Sequence, residues 1–320
     1  MSIQGHNQSD PSAARHAWPS LRVSDWQSTR DTLHLWTQVV GKIRMANAPL
    51  VNHWWNTTLY VTDRGLSTSL MPYRDGRSFT IEFDFTAHVL RFTVTDGQDA
   101  SIPLESRPVS VFYEDVMRTL DDLDLATRIW PMPVEIPDAI PFTEDVDHKT
   151  YDPDHARRFW EILVQIARVL GDFRALFIGK VSPVHFFWGG FDLAVTRFSG
   201  RPAPRYSRAI PNCAPYVMEE AYSHEVSSAG YWPGPDGEGS LYSYTYPEPA
   251  GFQDWPVGPS AARYDDDFAQ FLLPYEAVRN APDPDAALME FLQTTYEAGA
   301  ESAGWDRAAL ERSYSASGVD

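Results

Sequence analysis

Cysteine is nearly absent from this chain of 320 residues, in which Cys213 stands alone. One cysteine cannot form an internal disulfide, so the sequence predicts a protein of the reducing cytoplasm. Basic residues are scarce too, since 26 Lys and Arg stand against 44 Asp and Glu and give a formal net charge of −18. This charge repels phosphate backbones and anionic lipids, and we therefore expect neither a nucleic-acid partner nor a membrane partner.

Long apolar segments are also missing. No stretch approaches the roughly 20 apolar residues that span a bilayer, and residues 1–17 lack the apolar centre of a secretory signal. We expect residues 1–17 to form a mobile tail and residues 313–320 a C-terminal tail. Hydrophobic residues make up 43% of the chain and charged residues 22%, a balance typical of a globular protein with a sizeable core.

The first half of the chain, residues 18–130, has the periodicities of a helix, several strands and a second helix. Ser24 opens an S-x-x-Q capping box, and apolar residues follow at helical spacing. Residues 55–62 predict a strand, and the alternation of apolar and polar residues within residues 79–95 predicts a pair of half-buried antiparallel strands. Arg91 shares the polar face with Glu82 and Asp84, and we expect a cross-strand ion pair there.

A proline-rich connector, residues 131–150, follows the first half. Four prolines between residues 131 and 141 predict an extended, polyproline-like segment. The second half, residues 151–312, opens with a long helix, for which Asp152 is the cap and Pro153 the first residue. Later segments in this half predict further strands and a final helix.

The second half repeats features of the first. The pattern L-W-T-Q-V at 35–39 parallels I-L-V-Q-I at 162–166, and N-H-W-W at 52–55 parallels V-H-F-F-W at 184–188. Two amphipathic helices also resemble each other by chance, but we interpret the pattern as a diverged duplication. We therefore expect an α+β fold of two helix–antiparallel sheet–helix halves with approximate two-fold pseudo-symmetry and helices packed on the sheets.

One predicted hairpin offers a candidate catalytic pair. A two-residue turn at Gly189-Gly190 makes His185 and Asp192 diagonal neighbours on one face of the hairpin, within hydrogen-bonding reach. A histidine oriented by a carboxylate is typical of general bases and metal ligands, and equally of a satisfied buried histidine. The candidate catalytic residues are His185, Asp192, His53 and His224.

Aromatic and arginine residues near these histidines indicate a ligand pocket. The candidate pocket walls are Trp54, Trp55, Phe187 and Tyr231. A basic cluster follows the hairpin, and arginine forks bind carboxylate or phosphate groups. The candidate anion-binding residues are Arg197, Arg201 and Arg205, with Arg208 beside them. The alternative interpretation is that these arginines neutralise nearby acids such as Glu219 and Glu220.

The motifs of several well-known site classes are missing from the sequence. There is no H-E-x-x-H, C-x-x-C, Walker, dinucleotide-binding or G-x-S-x-G pattern. A divalent metal is an alternative that we do not favour. Its ligands would be His53, His185 and His224 with Glu225 or Asp192, a set that suits iron or zinc.

Several long segments resemble a family of bacterial proteins known as a domain of unknown function. The most specific stretches are residues 51–55, 129–137, 182–188, 191–200, 221–228 and 271–279, and the resemblance covers nearly the whole chain, from Trp18 to about Leu310. It implies a bacterial cytoplasmic protein. No activity, cofactor or catalytic residue comes with it.

Three functions are compatible with these patterns. The first is an enzyme that acts on a small, anionic organic molecule in the aromatic and histidine-lined pocket. The second is a binding protein that holds such a molecule without chemistry, and the third is an interaction protein whose aromatic hairpins form an interface. A small-molecule ligand is our expectation, whereas the sequence leaves the reaction, the substrate and the oligomeric state open.

Overall fold

A computed structural model describes residues 18–312 of the chain, and the two predicted tails lie outside the described residues. The helices are α1 (Val23–Asn47), α2 (Val109–Asp122), α3 (Pro153–Ala175), α4 (Pro215–Ala221), α5 (Tyr275–Arg279), α6 (Pro284–Ser302) and α7 (Arg307–Leu310). The strands are β1 (Tyr60–Val61), β2 (Gly65–Ser67), β3 (Met71–Pro72), β4 (Ser78–Asp84), β5 (Val89–Val94), β6 (Asp99–Pro103), β7 (His185–Phe187), β8 (Asp192–Pro202), β9 (His224–Trp232), β10 (Ser240–Tyr246), β11 (Arg263–Asp265) and β12 (Gln270–Pro274).

The strands form two antiparallel sheets of six strands each. The first sheet has the order β1-β2-β4-β5-β6 with β3 paired to β4, and the second has the order β11-β12-β10-β9-β8-β7. Most neighbours in each sheet are also neighbours in the sequence, and helices cover one side, so the predicted α+β class is confirmed. The two-fold pseudo-symmetry and the domain limits stay predictions.

The two sheets meet at their first strands. Leu59, just before β1, forms an antiparallel bridge with Phe186 of β7, in which each N–H donates to the other residue's carbonyl at 2.9 Å. Helix α1 contacts α2 and α3, and α3 contacts both β1 and β8. Buried apolar side chains from both sheets and from these helices form one cluster. The two halves therefore share a hydrophobic core.

The helix starts show one correct and one wrong prediction. The side chain of Asp152 accepts a hydrogen bond from the backbone N–H of His155 at the start of α3, which confirms the predicted cap. Helix α1 instead begins at Val23 without a side-chain cap, and Ser24 lies inside it with its hydroxyl donating to Asp25. The predicted capping box at Ser24 is therefore wrong.

The strand that the sequence predicts over residues 55–62 is shorter in the structure. A 3₁₀ turn at Asn52–Trp54 precedes it, and His53 and Trp54 have positive φ angles of 60° and 61°. The hydroxyls of Thr57 and Thr58 then donate to nearby backbone carbonyls. Such local bonds compete with a strand ladder, so regular pairing starts only at Leu59.

The second sheet has two unlike faces. Strand alternation turns one set of side chains toward α3 and α6. Among them, Arg197 contacts Phe173 of α3 and Tyr296 of α6. We call the opposite side the outer face, and its members are His185, Phe187, Asp192, Thr196, Ser228, Gly230, Tyr242 and Tyr244. Glu135 of the connector and Tyr222, which follows α4, contact this face. It therefore holds polar groups that other parts of the chain contact.

Candidate functional site

The predicted hairpin forms with the expected register. Phe187 pairs with Asp192 and His185 pairs with Ala194 across β7 and β8. His185 and Asp192 are therefore diagonal neighbours on the outer face. The hydrogen bond expected between them is not formed, because each side chain has a different neighbour.

The carboxylate of Asp192 accepts a hydrogen bond from the hydroxyl of Tyr242 on β10. Glu135 of the connector lies beside it, and both carboxylates press on the turn between β7 and β8. A Cβ added at Gly189 would collide with Oε1 of Glu135, and one at Gly190 would lie 2.8 Å from Oδ1 of Asp192. Neither glycine has a positive φ angle. These two positions thus need glycine because the carboxylates occupy the space of a side chain.

The surroundings of this carboxyl pair favour the protonated forms. Burial raises the pKa of Asp192 to about 6, although the bond from Tyr242 opposes the shift. Glu135 stays accessible to solvent, yet the surrounding protein, helped by the charge of Asp192, raises its pKa to about 7. Two carboxyl groups with pKa values near neutrality can exchange protons at physiological pH.

Helix α1 forms hydrogen bonds with both segments that carry the carboxyl pair, the connector and the turn between β7 and β8. The side-chain amide of Gln38 binds Val134 twice, accepting from its N–H and donating to its carbonyl, each at 2.9 Å. One helical turn earlier, Nε2 of His34 donates to the carbonyl of Gly189 at 2.9 Å. Burial lowers the pKa of His34 to about 4, so its ring is neutral. These residues fix the connector and the turn, and so fix the spacing of the two carboxylates.

Tyrosines continue the outer face away from Asp192. The hydroxyls of Tyr222 and Tyr244 lie 2.7 Å apart, and the ring of Tyr206 stacks on Tyr222 with centroids 4.5 Å apart. Burial raises the pKa of Tyr242 and Tyr222 well above 10. Their hydroxyls therefore keep their protons and act as hydrogen-bond donors.

Cys213 lies near both Glu135 and Lys42. Lys42 is buried in α1, with Nζ 5.3 Å from the ring centre of Trp130 and 5.9 Å from that of Trp188. Burial lowers the pKa of Lys42 to about 8. Burial and the charge of Glu135 raise the pKa of the Cys213 thiol, which makes it a poor nucleophile at neutral pH.

His185 is fully buried at the other end of the outer face. Its Nε2 lies 3.4 Å from the hydroxyl of Tyr60, and its Nδ1 has no hydrogen-bond partner among the described residues. Burial, with the charges of Arg44 and Arg174, lowers the pKa of His185 to about 3. The imidazole is therefore neutral over the physiological range.

His53 and His224 lie close to each other, and Trp55 separates them from His185. The ring centroids of His53 and His224 are 5.9 Å apart. The ring centroid of Trp55 lies 5.2 Å from that of His53 and 5.7 Å from that of His185. Nε2 of His53 accepts from Lys180 at 2.7 Å, so its Nδ1–H donates to the backbone carbonyls of residues 220 and 221. Burial and Lys180 lower the pKa of His53.

The proposed metal ligands do not form a set. Within residues 18–312, no group of three or more His, Cys, Asp or Glu side chains is arranged to hold a metal ion. His53 binds a lysine, and Glu225 binds Ser199 and Arg201 instead of joining His224. Strand alternation along β9 turns Glu225 and His224 to opposite faces.

The predicted arginines contact other parts of the molecule. The Arg197 guanidinium is buried against the rings of Phe173 and Tyr296, with its Cζ 3.4 Å and 4.3 Å from their centres, because odd-numbered residues of β8 face the helices. Two others pair with acids: Arg201 with Glu225 at 2.7 Å and Arg205 with Glu219 at 2.5 Å. The neutralising interpretation therefore describes Arg201 and Arg205 in this structure.

The predicted aromatic walls divide between two environments. Trp55 and Phe187 lie next to His185, and Trp54 packs on Tyr216. Tyr231 is instead in the core, where its hydroxyl donates to the carbonyl of Glu238 at 3.1 Å. It faces the helices because it alternates with the outer-face residues of β9.

Sequence reasoning missed Glu135, Tyr242 and Arg44. Glu135 lies in an irregular segment, and no periodicity connects it with Asp192. One signal in the sequence was the Gly189-Gly190 pair. A tight turn does not by itself require two glycines, so the pair indicates that another group lies close to the turn. Another was the segment 129–137, which contains Glu135 and is among the most specific parts of the family resemblance.

Comparison with known proteins gives a family without a known activity. Within residues 18–312, no helix combines the length and apolar character needed to cross a membrane. No curated protein and no solved structure matches the chain. A family model described as a family of unknown function, DUF5996, matches residues 18–312. The chain belongs to this family.

Proposed function

We propose that this protein is an enzyme that transfers protons to and from a small organic molecule bound at the outer face of the second sheet. Glu135 and Asp192 are the proposed acid–base pair. The observation that carries this proposal is their packing against two glycines, with no arginine or lysine paired to either carboxylate among the described residues. A structural carboxylate would more commonly have such a partner.

The two carboxyl groups are suited to different roles. Asp192 is held by Tyr242 and is the more enclosed of the two, so it has a fixed direction. Glu135 is accessible to solvent and can exchange protons with water between turnovers. With pKa values of about 6 and about 7, one group can carry a proton while the other is ionised near neutral pH.

Positioning residues support this assignment. Gln38 and His34 hold the two carboxylate-bearing segments from adjacent turns of one helix. A rigid helix keeps the spacing of reacting groups better than loops alone do. Tyr222, Tyr242 and Tyr244 supply aromatic surface for a ligand beside the carboxyl pair.

The proposal is tested with a panel of small organic molecules in heavy water, followed by proton NMR for turnover and for exchange of carbon-bound hydrogens. We expect the wild-type protein to transform at least one compound. Glu135→Gln and Asp192→Asn should each lower the rate by about 100-fold or more, as is typical for loss of a general acid or base. Asp138→Asn, an exposed change in the same connector, is the matched control.

The outcomes separate the alternatives. Binding of compounds without any turnover across the panel would contradict an enzyme and favour the binding protein. Turnover that survives both carboxyl substitutions would place the chemistry elsewhere. A rate that follows the protonation of a pair between about pH 6 and pH 7 supports the assignment.

A further inference from the structure

The junction between the two sheets contains a buried cation without an acidic partner. Arg44, in the last turn of α1, is only 7% exposed. Its Nε and Nη1 are buried and have no hydrogen-bond partner among residues 18–312. A buried charge without a partner destabilises the fold, so guanidinium groups in protein interiors are usually paired.

The neighbours of Arg44 are donors and aromatic rings. Its Cζ lies 5.4 Å from the ring centre of Tyr60, whose hydroxyl is 3.4 Å from Nε2 of His185. The other ring nitrogen of His185, Nδ1, is also buried without a partner among the described residues. The charges that act on His185 are those of Arg44 and Arg174, both positive.

This positive environment is unusual in so acidic a chain. Acidic residues outnumber basic ones by 44 to 26, yet the ion pairs of the described residues include none with Arg44. Burial lowers the pKa of Arg44, and the neighbouring Tyr60 hydroxyl opposes part of this shift. The aromatic contact with Tyr60 offsets part of the cost of burial. An oxyanion would supply acceptors for the unpaired N–H groups and would neutralise the charge.

We propose that Arg44, Tyr60 and His185 form a binding site for a small oxyanion, a carboxylate or a phosphate, at the junction of the two sheets. Arg44 supplies the charge, and the Tyr60 hydroxyl and His185 supply hydrogen bonds. Trp55, 5.7 Å from His185, bounds the site on the side of His53. The site is distinct from the carboxyl pair, and binding there requires no turnover.

The test measures the binding of acetate and of inorganic phosphate to the full chain, in separate titrations at constant ionic strength. The signals are the NMR shifts of the His185 imidazole and the melting temperature. We expect saturable binding and a higher melting temperature, because a ligand that binds the folded state stabilises it. The anion that saturates at lower concentration identifies the chemical class.

Three variants show whether Arg44 is responsible. Arg44→Met keeps the apolar stem and should abolish the saturable response, while Arg44→Lys keeps the charge without the fork and should bind about tenfold more weakly. Arg128→Met removes an exposed arginine outside the site and should bind like the wild type. If Arg44→Met does not fold, Tyr60→Phe replaces it and should weaken binding.

Two results would overturn this site. One is a wild-type protein that shows no saturable response to either anion. The other is an Arg44→Met or Arg44→Lys protein that binds as tightly as the wild type. Loss of turnover in the carboxyl variants has no bearing on these results, so the site and the proposed enzyme fail independently.

Discussion

Asp84 on the first sheet and Asp192 on the second lie next to hairpin turns, but their environments are opposite. Asp84 is fully buried, with Arg64 and Arg91 each 3.3 Å away and the N–H groups of Thr86 and Ala87 donating to it. Burial alone would raise its pKa, but these bonds outweigh burial and hold the pKa below its usual range. Asp192 has a single phenol donor and a raised pKa.

The difference shows how to distinguish a structural carboxylate from a candidate functional one. Both residues are enclosed, so burial does not separate them. The number of donors and cations separates them. Asp84 has two arginines and two backbone N–H groups as partners, whereas Asp192 lies beside another carboxyl group, Glu135. A partly satisfied polar group surrounded by protein is expected where stability has been given up for function.

The largest expected effect that tests this comparison is the loss of Asp84. Asp84→Ala should lower the free energy of unfolding by about 3 kcal/mol, because it leaves two arginines and two backbone N–H groups without their acceptor. Urea denaturation at pH 7 measures it, with Glu82→Ala on the same strand as the control. A loss no greater than that of the control would mean that the Asp84 bonds contribute little.

The pH dependence of stability tests the environment of His185 on the second sheet. His185 has a pKa of about 3 in the fold, whereas the unfolded chain takes up a proton there below about pH 6.5. The contribution of neutral His185 to the free energy of unfolding is therefore complete above pH 6.5 and is lost as the pH decreases. His185→Gln should remove up to about 1.4 kcal/mol per pH unit of this slope between pH 6.5 and pH 4.

Denaturation of both proteins at several pH values measures this slope. Above pH 7 the two curves should run parallel, which controls for changes in packing. An unchanged slope below pH 6.5 would show that His185 accepts a proton in the folded protein. Its pKa would then be close to that of an exposed histidine.

The smallest expected effect is a gain in stability on substitution of Asp192, opposite in sign to the loss expected for Asp84→Ala. Because the pKa of Asp192 is raised, protonation stabilises the fold at low pH, and this contribution is lost as the pH rises through about 6. Asp192→Asn keeps an oxygen for Tyr242 and should raise stability at pH 8 by about 1 kcal/mol. Thermal denaturation at pH 8 and pH 4 should show the gain only at the higher pH.

A destabilised Asp192→Asn protein at pH 8 would erase the contrast between the two aspartates. It would mean that the Asp192 carboxylate has cationic or N–H partners that match those of Asp84. The Asp192–Glu135 pair would then be a structural contact.

Local patterns in the sequence predict the elements of this fold well. The alternation within residues 79–95 gives β4 and β5 and the Arg91–Asp84 pair, and the glycine turn gives the register of β7 and β8. These features depend on side chains a few residues apart. Periodicity and turn chemistry are sufficient to determine such neighbours.

The composition of the candidate site could not be predicted in the same way. Asp192 was identified, but its neighbours Glu135 and Tyr242 lie 57 and 50 residues away in the sequence, and Arg44 is farther still from His185. Arg197 was misplaced for a simpler reason, since its strand alternation points it into the core. Contacts between distant segments require the packed fold, which a single sequence does not supply.

The double hydrogen bond from Gln38 to Val134 has a consequence for the order of folding. These residues are 96 positions apart, and closing so long a loop has an entropic cost that local contacts do not carry. The hairpins can form early, whereas the connector reaches its place only when α1 and the second sheet are already docked. We therefore expect the carboxyl pair to form late in folding, after both sheets.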